Sequence, residues 1–206
     1  PAIFKYNVSF RPVAPREPIS DFRILYVGWP REEHCLDLLL EAVRRINARP
    51  DRKVGVDIVG DSPYLRQVKS LAAEKGVGDS IRYHGAILDY SKLAPIVAGC
   101  FVGYALYANT SRSYYGYYGF PSKVFHYFSY GVPVIASNLT EFSETIAARK
   151  LGFVIPVDID SLERTIIEAM QSHATYSDNI RTFVAAHNPV AKQEFRDRID
   201  SLRAKG

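Results

Sequence analysis

No stretch of the 206-residue sequence approaches the roughly 20 uninterrupted apolar residues that a membrane-spanning helix needs, so a transmembrane helix is excluded. Cysteine is scarce. Cys35 and Cys100 lack any metal-type spacing and read as reduced, buried thiols of a cytosolic protein. No dense Lys/Arg block marks a nucleic-acid face. No G-x-G-x-x-G follows the first strand candidate, which argues against an NAD-binding protein. No Asp-x-Asp pair suited to a metal occurs except Asp158-Ile159-Asp160, which lies between a strand and a helix and predicts a helix cap by Asp160. Internal repeats and low-complexity segments are absent. The chain opens at Pro1 with neither a secretory signal nor an initiating methionine, and reads as a trimmed or fragmentary sequence.

What is present suits one good core. Hydrophobic residues make up 47% and charged residues 23% of the chain, an ordinary balance for one domain plus appendages. The formal charge of +4 is compatible with nucleic acid, a membrane surface or phosphorylated small molecules, and decides nothing alone. Aromatics reach 13%, and many of the tyrosines fall between Tyr104 and Tyr130, a density that suggests a binding surface as well as core packing.

Along the chain, residues Pro1 to Asp21 carry prolines at 1, 12, 15 and 18 and read as an extended linker. A regular alternation then begins. Strands are predicted at 22–27, 54–59, 81–84, 99–107, 132–136 and 153–157. Helices are predicted at 36–46, 64–75, 90–98, 122–130, 141–148, 161–173 and 180–187, with Pro189 breaking the chain before a charged helix at 190–202. Such alternation implies a parallel sheet covered on both faces, hence a doubly wound, Rossmann-like α/β domain. Ligands of such sheets bind at the carboxyl ends of the strands, where Gly28, Gly60 and Gly85 fall.

The most informative stretch runs from Gly119 to Ser137: GFPSKVFHYFSYGVPVIAS. It reads as a glycine-bearing loop, a short helix and a buried strand. Pro121 suits the first turn and Ser122 a cap or first-turn position. The free N–H groups at that helix start, with the helix dipole, form an anion site. Lys123 adds a formal charge, and Gly116 and Gly119 let phosphates approach the backbone.

This segment resembles the donor-site signature of GT-B glycosyltransferases, especially family 4, which carry P-S-K-x-x-E-Y-x-x-x-G-x-P-V-I-A-S. The likeness runs from about Phe22 to Met170. Tyr26-Val27-Gly28 with Leu36 to Ala42, Asp57 to Pro63, and Ile81 to Gly85 are similar to successive family segments. The resemblance implies the C-terminal, donor-binding domain of a GT-B fold, with 1–21 an interdomain or crossover segment, 22–188 the Rossmann-like domain and 189–206 a terminal helix. It implies a UDP-, GDP- or ADP-sugar donor, no cofactor and no bound metal. The acceptor, a sugar or a lipid-linked molecule, would sit on an absent N-terminal domain. Polysaccharide biosynthesis in the cytoplasm, with peripheral membrane contact, is the setting this implies.

The implied site residues are Ser122 and Lys123, with Phe120 and Pro121, at the distal phosphate; His126 at the ribose; Ala86 and Ile87 after Gly85 at the base; and Gly28, Trp29, Arg31 and His34 in the loop that helps the leaving diphosphate. Gly60 belongs to the same strand-end set. The chain departs from the family at four points. Trp29 and His34 stand where the family has an arginine and a lysine, with Arg31 between them. His126 replaces the ribose glutamate, and Tyr118 falls near another glutamate position. A UDP-sugar epimerase relative, a phosphorylase-type enzyme and a non-catalytic binding domain are the rival readings. The phosphorylase lacks its cofactor-lysine pattern here.

Overall fold

A computed structural model describes residues 16, 18–108, 122–138 and 141–203, with backbone only for 141, 142, 189–192 and 194–203. The predicted loop tyrosines Tyr114, Tyr115, Tyr117 and Tyr118, the glycines Gly116 and Gly119, and Phe120 and Pro121 lie outside these residues. So does most of the 1–21 segment.

Four of the strands form where a short, mainly apolar run is buried on both faces, the pattern of a parallel sheet, while the edge strand of sequence IRYHG is only partly buried. The strands are β1 (Arg23–Val27), β2 (Gly55–Val59), β3 (Ile81–Gly85), β4 (Val102–Ala105), β5 (Val134–Ser137) and β6 (Gly152–Ile155). They pair in parallel in the order β3-β2-β1-β4-β5-β6. The order reverses between β1 and β4, and that boundary is the switch point at which open α/β sheets place ligands. The predicted Rossmann-like doubly wound parallel sheet is therefore the fold observed.

Helices α1 (Leu36–Asn47) and α2 (Leu65–Glu74) cover one face of the sheet, packing Leu39, Val43, Val68 and their neighbours against Ile24, Tyr26 and Ile58. Helices α3 (Tyr90–Ala98), α4 (Ser122–Ser129) and α5 (Glu141–Ala148) cover the other, around Leu25, Val27 and Val134. The last helix, α6 (Ile159–Arg203), serves both layers. Its first part buries Leu162, Ile166 and Ala169 in one layer, and its later part buries Ile180, Phe183 and Val184 in the other.

Several sequence expectations are corrected here. The 99–107 run contributes only Val102–Ala105 to the ladder. Gly99 and Cys100 are held by carbonyls of α3, and the Tyr107 N–H turns to the Ser137 hydroxyl at 3.2 Å. The helices expected at 161–173, 180–187 and 190–202 are one continuous helix, and Pro189 does not break it. Proline's fixed φ is itself helical; inside a helix it removes one N–H bond and crowds the preceding turn, which long flanking segments can absorb. The cap of α6 is Asp158, whose Oδ1 accepts from the Ser161 N–H at 2.8 Å. Asp160 instead meets Arg45 at 2.9 Å.

At the switch point the sheet is wedged by a side chain. β1 and β4 pair only at Ile24↔Val102 and Leu25↔Gly103. Beyond that, the Tyr127 hydroxyl lies 3.1 Å from the Leu25 carbonyl and 3.0 Å from that of Tyr104, and accepts from the Val27 N–H at 3.2 Å. Its ring occupies the space that a side chain at position 103 would need, since a Cβ on Gly103 would fall 2.3 Å from that ring. Gly103→Ala is expected to lower stability by roughly 1–3 kcal/mol, as overpacking of a filled core does, read as a lower urea midpoint. A variant as stable as the parent would show that the Tyr127 wedge yields freely.

Candidate functional site

The strand exits are close together and glycine-lined. The Gly28 N–H donates to the Val59 carbonyl at 2.9 Å and the Gly60 N–H to the Gly85 carbonyl at 2.7 Å. Gly60, at φ +137°, passes so near the Gly28 carbonyl that an added Cβ would lie 1.7 Å from its oxygen. Its glycine is explained by this packing of two loops. The loop after β1 is then braced from several directions. The Ser62 hydroxyl donates to the Pro30 carbonyl at 2.7 Å, the Tyr104 hydroxyl to that of Cys35 at 2.6 Å, and the Ala108 N–H to that of Glu33 at 2.8 Å. A 3-10 turn over Glu32–His34 results.

Lys123, in the first turn of α4, points into this region. It is not the solvated first-turn lysine that sequence position alone allows. It is only 6% exposed, and its Nζ has no hydrogen-bond partner among the described residues. The ammonium lies 4.5 Å from the Tyr26 ring centre and 4.7 Å from that of Tyr107. Such ring faces attract a desolvated cation by about 2 kcal/mol. Burial acts against the charge and holds the Lys123 amine down at about 7, with Glu33 pulling the other way.

His34 closes the cluster. Its Nδ1 is 2.6 Å from the Tyr26 hydroxyl, and its ring meets Tyr107 edge to face at 5.1 Å. Burial, helped by the nearby charges of Lys123 and Arg31, pushes His34 down to about 3, so the imidazole is neutral at physiological pH. Burial also raises the Tyr26 and Tyr107 phenols.

The structure thus brings Gly28, His34 and Lys123 together at the carboxyl ends of β1 and β4. Arg31 stands at the edge, its guanidinium largely exposed and 3.6 Å from Glu33. Trp29, in the same loop, is 59% exposed. Ser122 is exposed at the start of α4. His126 is half-buried beside Tyr90, ring centres 5.8 Å apart, and burial lowers its pKa. Ala86 is exposed, while Ile87 is half-buried against the α3–α5 layer.

Tyr26, Tyr107 and Glu33 were missed as site residues. Tyr26 carries only the signature of a strand residue, and Tyr107 that of the end of an apolar run. Within the 104–130 tyrosine cluster, Tyr104 and Tyr127 prove to be core residues. Among the described residues no group of three or more His, Cys, Asp or Glu side chains could hold a metal ion. Nor is any helix among them long and apolar enough to cross a membrane. Two cavities bounded by described residues, of about 490 and 410 Å³, lie elsewhere, beside α6.

Residues 21–172, nearly three-quarters of the chain, match the family described as "Glycosyl transferases group 1". The chain belongs to that family. No curated protein matches this group 1 chain significantly, but solved structures do. Sucrose-phosphate synthase from Thermosynechococcus elongatus is 24% identical with a TM-score of 0.74, over 96% of this chain and 50% of that one. HepE of Anabaena, in complex with UDP, is 18% identical with a TM-score of 0.70, over 88% and 49%. WaaG, a glycosyltransferase involved in lipopolysaccharide biosynthesis, is 18% identical with a TM-score of 0.65, over 80% and 43%. At these identities the likeness establishes the fold, the Rossmann-like α/β architecture of GT-B glycosyltransferases. This group 1 chain spans about half the length of those structures.

Proposed function

We propose that this chain is the donor-binding half of a two-domain glycosyltransferase that takes a UDP-, GDP- or ADP-sugar and transfers the sugar to an acceptor held by a second, N-terminal domain. The observation that carries the reading is Lys123, a buried amine without a hydrogen-bond partner among the described residues, at the start of α4 and at the point where strand order reverses. Anions gather where helix N–H groups and a cation converge. A diphosphate there receives hydrogen bonds from the first amides of α4 and the charge of Lys123.

The chemistry of sugar transfer demands this arrangement. Cleaving the sugar–phosphate bond leaves a nucleoside diphosphate with an extra negative charge, and preorganised dipoles and cations stabilise it as it develops. The α4 dipole, Lys123 and, from the loop edge, Arg31 supply that stabilisation, so no metal is required. His34, neutral and anchored to Tyr26, orients this wall; His126 and Tyr90 flank the nucleoside, and Ala86 and Ile87 border its base. The complexes of HepE with UDP and with UDP-glucose support the nucleotide assignment. The setting is cytoplasmic polysaccharide synthesis, with peripheral membrane contact when the acceptor is lipid-linked.

The test is calorimetric titration of the 206-residue chain with UDP, GDP and ADP. At least one should bind more tightly than its nucleoside by ten-fold or more, with no sugar transfer by this chain alone. A folded chain that binds none of them ends the proposal. A second reading, a binding domain without catalysis, draws on Trp29, His34 and His126 standing where relatives carry charged residues. Sugar transfer by a two-domain protein containing this chain separates the two.

A further inference from the structure

We propose that a nucleoside diphosphate enters this site together with a proton, which Lys123 takes up as the phosphates arrive. The inference rests on the donor-site reading above and adds a charge-coupling rule to it.

The geometry motivates it. Lys123 Nζ lies between two tyrosine rings with no hydrogen-bond partner among the described residues. Ring faces attract an ammonium but leave its three N–H donors without strong acceptors. The described groups that face it are Tyr26 from β1, Glu33 and His34 from the 3-10 turn, and Tyr107 after β4; Arg31 stands just before that turn beside Glu33, and His126 lies three residues on in its own helix. Glu33 is the carboxylate of that set, and it is already paired with Arg31 at 3.6 Å. The sequence of 109–121 adds no Asp or Glu, only Arg112.

Among the described residues the ammonium has no carboxylate near it but Glu33, already engaged by Arg31, and a low-dielectric site then favours the uncharged amine. Burial indeed holds the Lys123 amine down at about 7. His34, pushed down to about 3, does not titrate above neutrality. An arriving diphosphate supplies the missing anion. The amine lone pair takes a proton from solvent, the buffer loses one, and the ammonium pairs with a phosphate oxygen.

Above pH 8 each binding event should therefore consume close to one proton. Affinity should fall about ten-fold per pH unit between pH 8 and 9, by linkage. The nucleotide's own terminal phosphate, with a pKa of about 6, is ionised in this range and adds no slope.

The experiment is titration of the 206-residue chain with UDP, GDP and ADP at pH 8, in buffers of differing ionisation enthalpy. Uptake of about 0.9 proton is expected, because a group of pKa 7 is about one-tenth protonated at pH 8. Lys123→Arg keeps its proton throughout and should bind with no uptake and a flat affinity from pH 8 to 9. Proton uptake below about 0.2 alongside clear binding overturns the inference and leaves the donor-site reading standing. Uptake that persists in Lys123→Arg also overturns it, because another group is then the acceptor. Absence of binding by all three nucleotides overturns both. NMR of the Lys123 side chain gives a check independent of the variant. Its amine should titrate near neutrality in the empty chain and stay protonated to pH 9 when nucleotide is bound. Titration at the ordinary lysine value in the empty chain overturns the inference.

Discussion

Lys123→Met is expected to make the ligand-free chain more stable while removing tight diphosphate binding. Methionine matches the unbranched shape of lysine and packs well against aromatic rings. What it removes is an amine that folding buries. In the unfolded chain that amine keeps its ordinary value near 10.5; in the native chain it is held at about 7. Between those values the unfolded state binds a proton that the native state does not, so stability rises with pH across the window. The penalty is full below pH 7 and vanishes as pH climbs through 10.5. A tenfold weakening of proton binding on folding corresponds to about 1.4 kcal/mol, and the lost ring contacts offset part of the gain. A gain of roughly 2–4 kcal/mol at pH 6.5, shrinking toward pH 10, is the expected result. Urea unfolding at several pH values measures it. Diphosphate affinity should fall by roughly 10- to 100-fold, the worth of a charged hydrogen bond. A Met variant less stable than the parent at pH 6.5 would mean that the amine is compensated in the native state. A site that sacrifices stability for an unpaired cation is what a stability–activity trade-off predicts.

The second large effect concerns a charged network anchored at the amino end of β1, away from the site at its carboxyl end. Arg23 and Asp57 are buried in neighbouring strands, their guanidinium and carboxylate in direct contact. The Arg23 Nη2 also donates to the Val56 carbonyl at 2.7 Å, and His84 Nε2 lies 2.5 Å from the second Asp57 oxygen. Gly55 makes room for this, because a Cβ there would lie 2.2 Å from Arg23 Nη1. Asp57→Ala leaves a guanidinium that cannot shed its proton in a dry interior. Loss of about 3–5 kcal/mol is expected, the scale of breaking a buried pair. The double variant Arg23→Met with Asp57→Ala should recover more than half of it, because the orphaned charge is gone. Urea midpoints at unchanged slope measure both. Equal losses in the single and double variants would mean that packing, not charge, dominates.

Much of the fold was legible residue by residue. The apolar run from Phe22 to Val27 announces a strand, observed at Arg23–Val27, and the spacing of Leu36, Leu39, Leu40 and Val43 announces α1. The Pro121-Ser122-Lys123 segment announces a helix start suited to an anion, and α4 does begin at Ser122. Local signals failed where a distant partner decides. Pro189 looks like a terminator, yet α6 runs through it while packing on both layers of the fold. Asp160 looks like the cap of α6, yet Arg45 from α1 engages it and Asp158 caps the helix instead.

Periodicity and helix-terminus chemistry act over a few residues, so the amino-acid order alone settled the alternation of strands and helices and the start of α4. The state of Lys123 is of another kind. Tyr26, His34, Tyr107 and Lys123 come from four separate stretches of chain, and only the packed sheet gathers them. Their convergence removes water from the amine. Solvation of a charge depends on everything around it in space, which no local pattern encodes.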